Sequence, residues 1–264
     1  MRSMTWTGLF SLRCGMARVY LTMRNAGYDA TLMKVGLFVT CLVDLVRPRI
    51  GFAALKLLEG AGCEVHVPAT QTCCGQPGWN SGERDSAAAL AGKLVAEFAG
   101  CDYVVVPSGS CAGMIKAHYK DVLGHNPLAA KTWELTDFLV NVVKLESVPG
   151  AFRGAVTYHD SCSGLRELGV KAQPRALLAR VPGLSLREMK DCEICCGFGG
   201  TFAVKMGEIS SAIVEAKCRR IEESGADAVV LGDLGCILNI EGRLSREGKS
   251  IPVLHVAEVL AGDA

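Results

Sequence analysis

The segment KVGLFVT, residues 34–40, is an apolar, β-branched run that ends directly at Cys41. A second run of this kind, Ala155–Tyr158, stands shortly before Cys162. Such runs predict buried strands, because β-branched residues fit a parallel sheet that is covered on both faces. Each of the two strands is therefore expected to lead into a cysteine.

Working outward from these two segments, short β-branched runs alternate with amphipathic helical patterns along the chain. This alternation predicts an α/β fold with mainly parallel sheets. We interpret the chain as two tandem, pseudo-symmetric, Rossmann-like halves. The predicted strands are Val35–Thr40, Glu64–Val67, Tyr103–Val106, Ala155–Tyr158, Leu184–Leu186, Ala228–Leu231 and Ile251–Leu254, and the predicted helices are Arg49–Glu59, Ser86–Phe98, Pro174–Ala179, Ile209–Glu223 and one beginning near Ala257.

Cysteine is unusually frequent, with 13 in 264 residues. Eight of these cysteines form two sets with the same order: one cysteine, then a Cys-Cys-Gly turn, then a closing cysteine. The two sets are nearly in register, which indicates a duplicated unit. The first set is Cys41, Cys73, Cys74 and Cys111, and the second is Cys162, Cys195, Cys196 and Cys236, with offsets of 121 (Cys41 to Cys162), 122 (Cys73 to Cys195) and 125 (Cys111 to Cys236).

Two segments are assigned outside the halves. Residues 1–28 contain four arginines and no acid, a bias typical of a transit peptide or of a mis-called start before Met33. We exclude residues 1–32 from the fold as a disordered or mis-called extension. The segment Asn126–Arg153 contains two prolines and is interpreted as a junction. The predicted halves are then residues 33–140 and 150–264.

The overall composition is that of an ordinary globular protein, with 50% hydrophobic residues and a net charge of +1. No basic stripe indicates a nucleic-acid partner, and no apolar run is long enough for a membrane span. An odd number of cysteines in a chain with ample core material argues against a secreted disulfide scaffold. We therefore expect a cytoplasmic protein whose thiols bind metal or do redox work.

The eight repeated cysteines all follow predicted strands. In a parallel sheet these positions meet at the carboxyl edge, where open α/β folds bind ligands. Four thiolates at one edge form a soft, anionic site that suits an iron–sulfur cluster or zinc. Adjacent cysteines bind two irons of one cluster more easily than they bind one metal ion, and this favours the cluster. Gly75 and the glycines after Cys196 would let backbone amides approach the sulfurs.

The remaining cysteines are interpreted as small buried apolar residues. The exception is Cys192, which stands three residues before Cys195 and is a candidate redox thiol or alternative ligand. His159, beside Asp160, is the candidate for proton chemistry, with a structural role in orienting the Cys162 loop as the alternative. The residues interpreted as buried are Cys14, Cys63, Cys101 and Cys218.

At these motifs the sequence resembles the cysteine-rich CCG domain family. That family includes the heterodisulfide reductase B subunit and the iron–sulfur subunits of glycolate and glycerol-3-phosphate dehydrogenases. The resemblance covers about residues 33–262 and is strongest to short stand-alone members from lactate-utilisation systems. It is carried by FVTCLVD (residues 38–44), PSGSCAG (107–113), HDSCSGLRELG (159–169) and CCGFGGTF (195–202).

The chain departs from the full family motif at two positions. The motif closes with Cys-x-x-Cys, but Ser108 and Asp233 stand where its first cysteine belongs. Each half thus keeps four of the five cysteines that hold the unusual cluster of the heterodisulfide reductase, and four suffice for an ordinary [4Fe–4S] cluster. Asp233 is either an oxygen ligand or a helix cap. We favour the cap, for which asparagine would substitute with little loss.

The resemblance implies one iron–sulfur cluster, expected to be [4Fe–4S], in each half, held by the eight repeated cysteines. It further implies an electron-transfer or oxidoreductase subunit of a cytoplasmic complex that oxidises L-lactate to pyruvate. The implied partners are a ferredoxin-type iron–sulfur subunit and a third small subunit. Whether this subunit is itself an enzyme stays open. The alternatives are a thiol–disulfide redox subunit of the heterodisulfide reductase type and a structural zinc protein.

Overall fold

The computed structural model describes residues 32–264, and Met33–Ala264 form one compact unit. The predicted extension and Cys14 lie outside the described residues, apart from Leu32. Within the described part, parallel strands form two four-stranded sheets, and these confirm the predicted α/β class. The strands are β1 (Lys34–Leu37), β2 (Glu64–His66), β3 (Tyr103–Val106), β4 (Thr132–Glu134), β5 (Gly154–His159), β6 (Leu184–Leu186), β7 (Ala228–Leu231) and β8 (Val253–His255).

The two sheets have the same strand order, β2-β1-β3-β4 and β6-β5-β7-β8. Register is equivalent as well, since Val35 pairs with Tyr103 and Val156 pairs with Ala228. The inner strand β7 is buried over its whole length, as expected for a parallel strand that has helices on both faces. The two halves therefore repeat one architecture.

Helices connect the strands. None of the helices in residues 32–264 combines the length and the apolar character that a membrane crossing requires. The helices are α1 (Cys41–Val46), α2 (Arg49–Gly60), α3 (Gln76–Ser81), α4 (Arg84–Glu97), α5 (Gly109–Gly113), α6 (Tyr119–Leu123), α7 (Leu135–Asp137), α8 (Cys162–Arg166), α9 (Ala172–Leu178), α10 (Thr201–Lys205), α11 (Gly207–Ser224), α12 (Leu234–Arg246) and α13 (Val256–Ala261), with π-helical turns at Met114–His118 and Phe138–Val142.

The predicted junction Asn126–Arg153 is wrong in its first part. It contains β4, the edge strand of the first sheet, followed by α7 and a π-helical turn. A three-residue edge strand is too short to show the alternation that identifies strands in a sequence, and the prolines on either side hide it. The limits of the two halves, 33–140 and 150–264, stay a prediction.

The first strand ends at Leu37, earlier than predicted, and the Val39 N–H donates to the Gln71 side chain instead of to a neighbouring strand. The chain then turns at Thr40. Thr40 has a φ of 78°, which is rare for a β-branched residue and costs about 1–3 kcal/mol. Immediately after it, Cys41 begins α1. The strained turn thus places the first cysteine at the end of its strand and at the start of a helix.

A shared core joins the two halves. One cluster of buried side chains draws Leu57 and Phe138 from the first half together with Leu177 and Leu260 from the second. Beside this core, Arg47 of the first half forms a salt bridge to the fully buried Glu258 of the second, with an Nη2–Oε2 distance of 3.1 Å. The halves therefore pack through a mixed apolar and ionic interface.

The helices that carry the cysteines meet at the same interface. α5 packs against α8 at two glycines, and a Cβ atom on Gly109 would lie only 3.0 Å from the Cα atom of Gly164. The same Cβ atom would lie 2.8 Å from the Ser161 hydroxyl oxygen, so a larger residue at Gly109 would force the two helices to shift. Cys111 and Cys162 stand on these two helices, and the interface therefore lies beside both cysteine groups.

Candidate metal centres

The first group of thiols lies at the carboxyl edge of the first sheet. Cys41 begins α1 after β1, the Cys73-Cys74 pair follows β2, and Cys111 lies on α5 after β3. The Sγ atoms of Cys74 and Cys111 are 3.5 Å apart, and Cys41 lies beside Cys73. Three segments distant in sequence are thus brought together, as the parallel topology requires. We call these four residues the first tetrad.

The second tetrad, made of the other four repeated cysteines, has the same construction. Cys162 begins α8 after β5, Cys195 and Cys196 follow β6, and Cys236 lies on α12 after β7. The thiol of Cys195 lies beside Cys162 and Cys196. One ring nitrogen of His159 and the Sγ atoms of Cys196 and Cys236 all lie within 4.8 Å of one another. Histidine is therefore part of the second site.

The glycine of each Cys-Cys-Gly turn has a definite structural task. Gly75 and Gly197 have φ values of 84° and 87°, which favour glycine strongly. This geometry aims the backbone N–H of Gly75 at the Cys73 thiol at 3.4 Å, and that of Gly197 at the Cys195 thiol at 3.2 Å. The turn thus supplies a donor that stabilises a thiolate or a cluster sulfur.

Replacing Gly197 with alanine should destabilise the fold by about 1–3 kcal/mol through backbone strain. In addition, the new Cβ atom would lie 2.8 Å from the Ser210 carbonyl oxygen. The midpoint of urea-induced unfolding should therefore fall, and its measurement checks the prediction. The control is Gly248→Ala, which has a φ of 69° but open space around it. An equal loss in both variants would show that the contact with Ser210 contributes nothing.

Electrostatics within each tetrad favour ionisation of one thiol at a time. Hydrogen bonds from the neighbouring thiols, Cys41 foremost, and the Gly75 N–H lower the pKa of Cys73 to about 3. In the second tetrad, hydrogen bonds from the neighbouring thiols, Cys162 foremost, and from the N–H of the turn glycine lower the pKa of Cys195 to about 2. The pKa of Cys41 is raised, first by its hydrogen bond to Cys73 and then by burial. Four thiols packed this closely ionise together only when a bound cation balances their charge.

The two positions that depart from the family motif are helix caps. Ser108 Oγ accepts the Cys111 N–H at 3.5 Å, and Asp233 Oδ1 accepts the Gly235 N–H at 3.1 Å. Asp233 also reaches across the interface, where its Oδ2 atom accepts the Ser108 hydroxyl at 3.1 Å and the Ser110 N–H at 2.9 Å. The predicted cap is confirmed, and the same carboxylate joins the two halves.

The described cysteines outside the tetrads are of two kinds, three that are buried, as predicted, and Cys192. Cys63, Cys101 and Cys218 are buried within apolar clusters. Cys192 is half-buried, and its Sγ atom contacts the Arg175 guanidinium at 3.8 Å. Its interpretation as an alternative ligand stays a prediction.

Two basic residues of the second site have unusual surroundings. His159 is fully buried, and neither ring nitrogen has a hydrogen-bond partner within the described residues. Lys217 is also fully buried, with Nζ donating to the Asp191 carbonyl at 2.8 Å and the Cys192 carbonyl at 3.3 Å. His159 was a candidate from its place beside Asp160 and Cys162. Lys217 carries no such signal, because it stands within an amphipathic helix like any surface lysine.

These features together fit an iron–sulfur cluster. A buried N–H without an acceptor and a buried ammonium bonded only to carbonyls both need an anionic acceptor nearby. Soft thiol donors and inward-facing glycine amides meet the other requirements of such a group. A zinc ion could use the thiols and His159 as well. The adjacent cysteines favour the cluster, because two neighbouring thiolates bind two irons more easily than one metal ion.

The model of the cysteine-rich CCG domain matches residues 35–116 and 156–241, once in each half. The chain belongs to the cysteine-rich CCG domain family. Lactate utilization protein A of Geobacillus kaustophilus (strain HTA426) is 50% identical over 236 residues, 86% of this chain and 98% of that protein. Its namesake in Halalkalibacterium halodurans is 48% identical, over 86% of this chain and 96% of that protein. Lactate utilization protein A 2 of Bacillus cereus (strain AH820) is 44% identical, with 87% and 98% covered.

Among solved structures, a hypothetical protein from Helicobacter pylori shares the fold with a TM-score of 0.59 at 12% identity. The aligned part covers 86% of this chain and 48% of that chain, so this chain spans about half its length. At such low identity the likeness concerns the fold alone. It agrees with the two parallel sheets described above.

Proposed function

We propose that this protein is an iron–sulfur electron-transfer subunit of a cytoplasmic complex that oxidises L-lactate to pyruvate. The observation that carries this proposal is the repeated tetrad of thiols at equivalent sheet edges. The chain is also 50% identical, over 236 residues, to a protein named for lactate utilisation. In each half the four cysteines of the tetrad would hold one cluster, which we assign as [4Fe–4S]. Such a cluster supplies the uptake and release of one electron.

The protein's own residues prepare these sites for that chemistry. The Gly75 and Gly197 amides donate to sulfur, and burial of Cys74, Cys196 and Cys236 keeps water away from the thiols. Backbone donors and low dielectric both tune the potential of a cluster. The described cysteines are free thiols, in keeping with a reducing compartment.

A cavity of about 430 Å³ leads from the surface to the first tetrad, where Cys41 and Cys73 form part of its wall. The wall includes one acid, Asp44, and neither lysine nor arginine. A carboxylate such as L-lactate is bound most readily by a cation or an arginine fork, and this cavity offers neither. We therefore assign this cavity to electron entry and not to lactate binding.

The exchange of electrons then depends on other proteins. The sequence has no glycine-rich nucleotide-binding motif and no second type of cluster motif. We propose a ferredoxin-type iron–sulfur subunit and a third small subunit as the partners. Exposed apolar side chains beside the cavity, with Leu45 at 79% exposure, offer surface for such a contact.

Chemical analysis of anaerobically purified protein tests the proposal. We expect iron and sulfide in equal amounts, roughly four of each per tetrad, and a brown protein with an electron paramagnetic resonance signal after reduction. Zinc without sulfide, in a colourless protein, would refute it in favour of a structural metal site. Turnover of a disulfide substrate by this chain alone would favour the heterodisulfide reductase type instead.

A further inference from the structure

The two halves differ in what stands against their tetrads. His159 precedes Cys162 by three residues, and Phe38 precedes Cys41 by three residues. Both side chains are fully buried. The same position thus holds an aromatic hydrocarbon in the first half and an imidazole in the second.

A second such exchange lies on the following helix. The helix that packs against the turn glycine is α4 in the first half and α11 in the second. A Cβ atom on Gly75 would meet the Ala87 carbonyl, and one on Gly197 would meet the Ser210 carbonyl, so Ala87 and Ser210 occupy corresponding positions. Leu94 and Lys217 each stand seven residues farther along their helices, and both are buried. An apolar residue of the first half is therefore again replaced by a basic residue in the second.

His159 presents an unsatisfied donor to the second tetrad. The side chain is fully buried and neither ring nitrogen has a hydrogen-bond partner among the described residues, so at least one ring N–H lacks an acceptor. The Cys192 carbonyl lies close to the ring but forms no hydrogen bond with it. A ring nitrogen lies within 4.8 Å of the Sγ atoms of Cys196 and Cys236.

Lys217 supplies positive potential at the same place. Burial is the main cause that lowers its pKa, and the charge of Arg220 adds to it, while Cys192 and Cys196 act in the opposite direction. Its Nζ atom donates to the Cys192 carbonyl at 3.3 Å, three residues before Cys195, and this places the ammonium beside the Cys-Cys-Gly turn of the tetrad. Such a charge in a low-dielectric interior acts strongly on any anion beside it.

We propose that His159 and Lys217 make the second tetrad's cluster the more easily reduced of the two. An N–H donated to sulfur and a nearby positive charge both stabilise the negative charge that an added electron brings. Phe38 and Leu94 provide neither interaction to the first cluster. Electrons entering at the first tetrad would therefore pass towards the second. This inference rests on the proposed iron–sulfur function.

A redox titration followed by electron paramagnetic resonance tests the proposal on the full-length protein with its iron. A Cys74→Ser background removes a ligand of the first cluster, so that the remaining signal reports the second. In that background His159→Leu and Lys217→Leu should each lower the potential of the second cluster. We expect roughly a tenfold change in the ratio of reduced to oxidised cluster at fixed potential, or 59 mV for a one-electron couple.

Two further variants separate tuning from structure. His159→Gln keeps an N–H donor and should restore most of the wild-type potential. If His159 had only a structural role, the potential would not depend on whether the substituted side chain carries an N–H donor. Leu94→Met, at the position in the first half that corresponds to Lys217, should leave the second potential unchanged.

The outcomes are decisive in each direction. Unchanged potentials in the His159 and Lys217 variants would overturn the inference. Loss of iron from the second site in folded His159→Gln would show that the imidazole is a ligand and would overturn it as well. Wild-type protein without iron and sulfide would instead refute the proposed function, and the inference with it.

Discussion

Cys196→Ser should remove the cluster of the second tetrad and about half of the protein's iron and sulfide, with the first cluster retained. The expected loss follows from the position of the thiol, which is 2% exposed and adjoins Cys195 and Cys236. A serine hydroxyl is a poor ligand for iron in a soft thiolate site. Iron and sulfide analysis of the anaerobic protein measures the effect, and the corresponding Cys74→Ser should remove the other half.

The matched control is Cys192→Ser. Cys192 is close to the tetrad in sequence, but its Sγ atom contacts the Arg175 guanidinium at 3.8 Å. We expect this variant to keep its full iron content. Iron loss from Cys192→Ser that equals the loss from Cys196→Ser would contradict our ligand assignment and favour Cys192 as the alternative ligand.

Asp233→Ala should cost about 2–4 kcal/mol of stability while the folded protein keeps its iron. The carboxylate caps α12 and also accepts a hydroxyl and an N–H from the other half. Its removal leaves the buried Gly235 N–H and Ser108 hydroxyl and the half-buried Ser110 N–H without this acceptor. Loss of a cap costs about 0.5–2 kcal/mol, and an unsatisfied buried donor about 1–3 kcal/mol. Urea unfolding measures the loss, and iron analysis at native conditions completes the test.

The structure changes the expectation for Asp233→Asn. An asparagine has one acceptor oxygen, whereas the two carboxylate oxygens accept N–H groups from Gly235 and Ser110. One of these donors then faces an amide nitrogen, so we expect a stability between those of wild type and Asp233→Ala. A folded Asn variant that has lost iron would show that Asp233 is a ligand after all.

The control for this series is Asp102→Ala. Asp102 is exposed and accepts a single backbone N–H, from Lys34 at 2.8 Å, within one half. Water replaces that partner when the carboxylate is removed, and the cost should stay below about 1.5 kcal/mol. If Asp102→Ala lost as much stability as Asp233→Ala, the larger cost at Asp233 could not be attributed to its contact across the interface.

The strands that carry the cysteines were predictable because their signal is local. A run such as Tyr103–Val106 is recognised from its own residues, and the parallel topology then places the following cysteine at a known edge. The edge strand Thr132–Glu134 was missed for the opposite reason. Three residues at the side of a sheet owe their conformation to pairing with Val104–Val106 and leave little pattern in the sequence.

The amino-acid sequence by itself determined the α/β class, the duplication and the two groups of four cysteines. These depend on periodicity and spacing, which neighbouring residues express together. Only the tertiary structure decided that Asp233 meets Ser108 across the interface, that His159 has no partner, and that Lys217 is buried. Each of these facts depends on contacts between segments distant in the chain. Such contacts follow from packing, and no local pattern encodes them.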